Sequence, residues 1–400
     1  MFLGSTYMNN EITSFCEEVC KYVSFKESHE SLKEEVSLHI NEKIDFYMCE
    51  GYSKNDALNK AIIDMGDPRE IGIQFNKVYK GLVPWNILIG ILGLSIIGLL
   101  IIFNLGKSIY INGGALGLKH IVSLCLGIGI IYIMYNINYT IIFKQNNLFY
   151  IIGIIIAILG MQYGISINNS IFLKIGYISF EIDPYINIVF ILSLVCSVIK
   201  INNYTKKDLI KIIITSILSL CIVYTICSIE NFIIMLIVYL FIMILTLNDY
   251  HKINQTLKKA LLIINCIFLN AYLIIKLLNI KIHNSIINTN SLWDYESALI
   301  IEKYGIQMIV ILLILFTVIL IGMTINTYKL KNMKEYYLTM TIIIYMLAKF
   351  ILGIIGGLNM LGPIKSPIPF VSYGTSNYIL DCLLIGIFLS IWRRRLITHN

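Results

Sequence analysis

The chain has 400 residues, of which 57% are hydrophobic and only 14% charged, with a formal net charge of +7. That balance excludes an ordinary soluble domain, in which about a quarter of residues are charged. The apolar residues fall in blocks of about twenty, the length that crosses hydrocarbon. The expected fold class is therefore all-α: a polytopic membrane protein of about ten transmembrane helices with a small N-terminal cytoplasmic helical bundle.

Residues 1–80 are polar and charged, which predicts no cleavable signal peptide. Apolar positions at helical spacing (Phe15, Val19, Tyr22; Val36, Ile40, Ile44) predict helices over Glu11 to Val23 and Ser31 to Met48. Gly51 reads as the C-terminal stop of the second, and Ser53 with Asp56 resembles a capping box opening a third. That helix runs to Met65 and stops at Gly66-Asp67-Pro68; a short fourth covers Glu70 to Tyr79. The nine cysteines are scattered, mostly within apolar runs, and form no CxxC. Cys16 and Cys20 lack the further ligands of a zinc set and read as small buried hydrophobes.

The membrane part reads as spans near 83–104, 119–137, 148–166, 185–200, 208–228, 230–248, 259–279, 305–327, 336–357 and 376–392. Lys144, then Lys200, Lys206 and Lys207, then Lys252, Lys258 and Lys259, then Lys329, Lys331 and Lys334 fall in alternate loops. The positive-inside rule puts those loops, Arg393-Arg394-Arg395 and both termini in the cytoplasm. The other loops hold isolated cations: Lys107, Lys174, Lys281 and Lys365. The expected localisation is a multi-pass plasma-membrane protein, and the positive charge needs no nucleic-acid partner.

The stretch Ser366-Pro367-Ile368-Pro369-Phe370-Val371-Ser372-Tyr373-Gly374-Thr375-Ser376 holds two of the chain's six prolines. It cannot continue a helix. Ordered irregular backbone between membrane helices must be buried in protein or line a cavity, because lipid cannot satisfy it. The acids on the same expected outer side are Glu181, Asp183, Asp294, Glu296 and Glu302. Asp294 follows Trp293 and precedes a helix beginning near Ala298, a place where a carboxylate is favoured and where a plain helix cap is equally consistent. Lys349 and Asp381 lie inside the ninth and tenth spans, where charges are expensive and are paired or functional. Counted back from the shared loop at ~1.5 Å per residue, they reach similar depth. The expectation is an ion pair that anchors the loop; the alternative is two charges each facing a wet cavity. The six histidines are dispersed, no metalloprotease, P-loop or dinucleotide motif is present, and His39 reads as packing or capping.

Pro367-Ile368-Pro369-Phe370-Val371-Ser372-Tyr373-Gly374-Thr375-Ser376, followed by Gly386, Leu389, Ser390 and Arg393, resembles the signature of the FtsW/RodA/SpoVE family. These are the shape, elongation, division and sporulation proteins, whose pattern is roughly P-L-P-F-I-S-Y-G-G-S. The run from Trp293 to Gly305 is similar to the family's T-D-F-I-F-A-V-I-G-E-E-L-G, with Asp294, Ala298, Ile300, Glu302 and Gly305 coinciding. Phe172 to Glu181 more weakly resembles W-I-K-I-G-P-F-S-F-Q. The resemblance covers about residues 83–395 and implies ten spans. It implies a peptidoglycan glycosyltransferase that polymerises lipid II, or a related undecaprenyl-linked precursor, at the outer face of the bacterial plasma membrane, usually with a class B penicillin-binding protein.

By this resemblance Asp294 is the catalytic group, and Glu302, Pro367, Pro369, Phe370, Ser372, Tyr373, Gly374 and Ser376 line the substrate cavity. No cofactor is required by any motif; a divalent cation stays open for the diphosphate. The chain departs from the family where P-S-E-L-x-K is expected: Ile182-Asp183-Pro184-Tyr185-Ile186-Asn187 lacks its Glu and Lys. The P-D-L-G-T stretch is also absent, with Glu230 near its place, and the segment from Ile280 to Leu292 is Asn-rich rather than Gly-rich. These departures keep two alternatives open, a transporter (flippase) of lipid-linked precursors and a non-catalytic scaffold. Residues 1–80, with Phe25-Lys26, Gly51-Tyr52-Ser53 and Met65-Gly66-Asp67-Pro68, resemble the permease-prefix domain of Gram-positive membrane proteins, which implies a cytoplasmic partner.

Overall fold

The computed structural model describes residues 2–79, 83–108, 113–167, 170–176, 178–200, 206–250, 296–357, 367–372 and 374–395. The chain forms two units, Met1–Val83 with Trp392–Asn400, and Pro84–Ile391.

In the first unit four helices, α1 (Phe2–Lys21), α2 (His29–Cys49), α3 (Lys54–Met65) and α4 (Pro68–Tyr79), close over one core. Its centre is Val19, Leu32, Ile40, Ala57 and Ala61, each fully buried. A short 3-10 turn at Lys26–Ser28 joins α1 to α2. The α2 end is a Schellman-like stop: Gly51 has φ 93°, and the Tyr52 amide donates to the Tyr47 carbonyl at 3.2 Å. Ser53 Oγ accepts the Asp56 amide, as an N-cap hydroxyl should. Gly72 lets α4 approach α1, since a Cβ there would lie 2.6 Å from the Val19 carbonyl oxygen. The last turn of the chain's final helix, from Trp392, groups with this unit. Arg394 is fully buried, its guanidinium pairs with Glu27, with Nη2 2.6 Å from Oε1, and Arg393 lies over the Phe25 ring. A buried arginine needs such a carboxylate to offset lost hydration.

The second unit carries α5 (Trp85–Ser108), α6 (Gly113–Asn136), α7 (Thr140–Lys144), α8 (Asn146–Tyr163), α9 (Asp183–Ile199), α10 (Lys206–Ile226) and α11 (Ile229–Tyr250). Beyond the undescribed stretch follow α12 (Glu296–Tyr304), α13 (Ile306–Thr327), α14 (Met333–Gly357) and α15 (Thr375–Arg394). Among the described residues five helices are long and apolar enough to cross a membrane (in α5, α6, α13, α14 and α15), and α8 to α11 add four shorter apolar ones. The protein is a multi-pass, predominantly helical membrane protein. Each span expected from the sequence coincides with one of these helices, except the one near 259–279, which lies outside the described residues.

Burial ranks the helices. Among the five long helices the apolar windows of α14 and α15 are 83% buried, whereas that of α6 is 22% buried, so α14 and α15 lie inside and α6 presents its sides outward. Between α8 and α9 lies an element the helical expectation did not contain. It is a three-stranded antiparallel sheet, β1 (Ile165–Ile167), β2 (Ser170–Ile175) and β3 (Ile178–Glu181), with Phe172 opposite Glu181. The β-branched and aromatic run Ile171-Phe172 and the turn at Gly176, with φ 62°, are its local causes. The sheet sets Glu181 at the head of α9, beside the start of α15.

Candidate functional site

The site grows from the inner helix pair. Lys349 on α14 and Asp381 on α15 are each 2% exposed, and Lys349 Nζ lies 2.7 Å from Asp381 Oδ1. The Phe370 backbone amide also donates to the Asp381 carboxylate, so one side chain holds both the lysine and the loop. The loop is a tight turn: the Ile368 carbonyl accepts from the amides of Val371 (3.2 Å) and Ser372 (3.0 Å). Phe370 has φ 63° and, among the described residues, is the single non-glycine with positive φ. An aromatic residue in the left-handed region is strained by roughly 1–3 kcal/mol and persists where its surroundings over-determine it. Here they do. Pro369, Phe370, Val371 and Ser372 are buried, Phe370 packs edge-on against Tyr378, and α5 reaches the turn through Gly98. A Cβ at Gly98 would lie 2.6 Å from the Val371 carbonyl oxygen, so only glycine permits that approach.

A second layer ties the loop to the sheet. Asn377 Nδ2 donates to Glu181 Oε2 at 2.6 Å, the Glu181 amide donates to Ser376 Oγ at 3.2 Å, and Tyr185 OH donates to the Ser376 carbonyl at 2.7 Å. Asn377 and Asp381 are four residues apart and share one face of α15. Burial pushes the Glu181 carboxyl up to about 7; the Asp183 charge adds to this, and the Lys349 ammonium opposes it. Asp183, fully buried at the start of α9, accepts the amides of Ser228 (3.0 Å) and Ile171 (3.3 Å). It thereby joins the sheet to the α10–α11 turn. On the other flank Ser95 and Tyr378 hydroxyls are 2.9 Å apart, Ser123 Oγ donates to Thr375 Oγ1 at 3.0 Å, and His120 packs edge-on against Tyr378. The loop sits on a buried network with one cation facing Asp381 and Glu181.

Of the residues expected at the site, Pro369, Phe370, Ser372, Ser376, Lys349 and Asp381 are buried, while Pro367 and Gly374 are partly exposed. The structure brings Lys349 and Asp381 together with the loop. Glu302 is exposed on α12, which Gly305, with φ 77°, sets off from α13. Asp294 and Tyr373 lie outside the described residues. Asn377, Tyr185 and Ser228 were not expected. The four-residue spacing to Asp381 is a signal for Asn377; for the backbone contacts of Tyr185 and Ser228 the sequence holds none. No cluster of three or more His, Cys, Asp or Glu that could hold a metal ion occurs among the described residues.

A buried charged network beneath an irregular loop, between two deeply buried membrane helices, defines a membrane protein with an internal polar site rather than a simple anchor. Solved structures of the same fold give that class a particular form. The chain resembles an aspartate-to-alanine variant of the rod shape-determining protein RodA of Thermus thermophilus, with TM-score 0.61, 15% identity, and coverage of 78% of this chain and 98% of that one. It resembles the unmutated RodA of that organism at TM-score 0.58 and 14% identity, over 77% and 97% of the two chains. A chain solved in a study of polymerisation and crosslinking by a peptidoglycan synthase complex matches at TM-score 0.59 and 14% identity, over 78% and 98%. The transmembrane fold is therefore RodA-like. No protein-family model matches the chain, and no curated protein matches its sequence.

Proposed function

We propose that this protein is a membrane-embedded peptidoglycan glycosyltransferase that joins lipid II units at the outer face of the plasma membrane, with Asp294 as its catalytic base. The RodA-like fold over more than three quarters of the chain carries this reading. It supports the motif resemblance at the loop and around Asp294 as more than local coincidence. In the reaction the sugar 4-hydroxyl of one unit attacks the anomeric carbon of another. A C–O bond forms, the bond from that carbon to the diphosphate oxygen breaks, and undecaprenyl diphosphate leaves. The hydroxyl proton passes to the Asp294 carboxylate, the step that general-base catalysis assists by about 100- to 10,000-fold.

Chemistry at the outer face follows from the lysine bias, with both termini in the cytoplasm. The loop, held by Asp381 through the Phe370 amide, is the proposed cavity wall, and Lys349 compensates the carboxylates beside it. A class B penicillin-binding protein is the proposed partner in the membrane, and the N-terminal unit is the proposed dock for a cytoplasmic one.

The test is polymerisation of labelled lipid II by the purified protein, alone and with a cognate penicillin-binding protein. Wild type is expected to give glycan strands, Asp294→Ala none above background, and Asp294→Glu a reduced yield. Strands of equal yield from Asp294→Ala, or none from wild type even with its partner, overturn the reading.

A further inference from the structure

Away from this site, a cavity of about 450 Å³ opens between α8, α9, α10 and α11. Its size falls within the range of small-molecule sites, ~300–1,000 Å³. Its lining is graded. Lys200, Asp208 and Lys211 stand at one end, at the close of α9 and the opening turns of α10. Phe190, Leu194 and Ile212 line the interior, and all three are buried. Lys200 lies ten positions beyond Phe190, about 15 Å along the helix at ~1.5 Å per residue. That is half the ~30 Å hydrocarbon thickness, the depth of one leaflet.

Polar atoms line the path. Tyr150, on α8, contributes a buried hydroxyl with no hydrogen-bond partner among the described residues, beside the Phe190 ring at 5.4 Å. Ser219 and Tyr239 hydroxyls, 2.9 Å apart, form the far wall. A buried phenol left unpaired is costly in a membrane interior, and an acceptor entering the cavity would satisfy it.

We propose that this cavity is a lipid site for an anionic glycerophospholipid of the leaflet on the Lys200 and Lys211 side, the side the lysine bias assigns to the cytoplasm. The phosphate meets the two lysines, one ester carbonyl accepts from Tyr150 OH, and one acyl chain runs along Phe190 and Leu194. Basic pockets between helices at this face suit such headgroups. Asp208 leaves the mouth with a net charge of only +1, so its carboxylate limits affinity.

The experiment titrates dioleoylphosphatidylglycerol, against dioleoylphosphatidylcholine and a polyprenyl phosphate, into the full-length protein in detergent, reading thermal stabilisation. Ligand that binds only the folded state raises the unfolding midpoint with concentration. The phosphatidylglycerol affinity is expected to exceed that for phosphatidylcholine at least tenfold. Lys200→Gln and Lys211→Gln are each expected to weaken it roughly fivefold, Tyr150→Phe severalfold, and Asp208→Asn to strengthen it. Equal response to the two phospholipids overturns the headgroup assignment. Tighter binding of the polyprenyl phosphate overturns the glycerophospholipid assignment. A full response in the Lys200→Gln/Lys211→Gln double variant moves the site elsewhere. Should that variant fail to fold, Asp208→Asn decides alone, because an affinity that does not rise overturns the proposal.

Discussion

Consider replacing Lys349 by Met. The side chain keeps its length and loses its charge, and Asp381 and Glu181 both lose the cation that opposes their burial. At the observed 2.7 Å separation, and an effective dielectric near 20, the attraction removed is ~6 kcal/mol. The same change also removes the desolvation penalty of one buried ammonium, itself several kcal/mol, so the net loss is smaller, ~3–5 kcal/mol. Asp381→Asn is expected to cost less, toward ~3 kcal/mol, because Glu181 still faces Lys349 and the amide oxygen can still accept the Phe370 N–H. The double variant Lys349→Met/Asp381→Asn removes both buried charges and is expected to recover most of the loss. Unfolding of the purified variants in mixed micelles, followed by tryptophan fluorescence, gives the four corners of a double-mutant cycle. A coupling of at least ~2 kcal/mol between the two sites is expected. Single losses that simply add in the double variant would show that the pair holds nothing together.

Other consequences are equally specific. Gly98→Ala places a methyl 2.6 Å from the Val371 carbonyl oxygen and is expected to destabilise by ~1–3 kcal/mol, measured in the same assay. Gly129→Ala on α6, with no atom within 4 Å of the new Cβ, is the control and is expected to be neutral or slightly stabilising. Glu181 has a folded pKa of about 7, above its ordinary 4.5, so the folded state binds the extra proton. Its contribution therefore favours folding at low pH and declines as pH rises from 4.5 through about 7; Glu181→Gln is expected to flatten the stability profile in that window. In the first unit Ser53→Ala is expected to cost about 1 kcal/mol, seen as faster amide exchange at the start of α3. Burial, with mutual repulsion a lesser cause, raises the Cys16 thiol, and burial raises that of Cys20. Both are expected to alkylate at least tenfold more slowly than exposed Cys49 in a mass-mapped time course, and faster labelling of Cys16 would contradict its placement in the core.

The sequence and the structure agree where the signal is strong and local. Apolar blocks long enough to cross hydrocarbon mark each described span to within a few residues, because in lipid a helix is the one solution for an isolated segment. Ser53 and Gly51 mark a helix start and stop because their side chain and its absence act within one turn. Lys349 and Asp381 were legible as a pair because a charge in a span needs a reason and a shared loop fixes their depth. What escaped was tertiary. The sheet Ile165–Glu181 is too short to show a period against its apolar neighbours. The attachment of Arg394 to Glu27 joins positions 367 residues apart, with no pattern in either neighbourhood. Asp183 illustrates the same limit: the sequence shows an acid near a helix start, but only the fold shows that its carboxylate is occupied by two backbone amides. That makes Asp183 a brace between the sheet and α10–α11, and leaves Glu181 as the sheet's carboxylate at the start of α15.

The central claim, glycosyl transfer rather than movement of an intact lipid, is tested most directly by following the leaving group. In sealed proteoliposomes loaded with lipid II, each glycosidic bond releases one undecaprenyl diphosphate. Wild type is expected to release it in step with strand growth, and Asp294→Ala to release none. Lipid II that crosses the bilayer intact, with no undecaprenyl diphosphate released by the wild-type protein, would contradict the account.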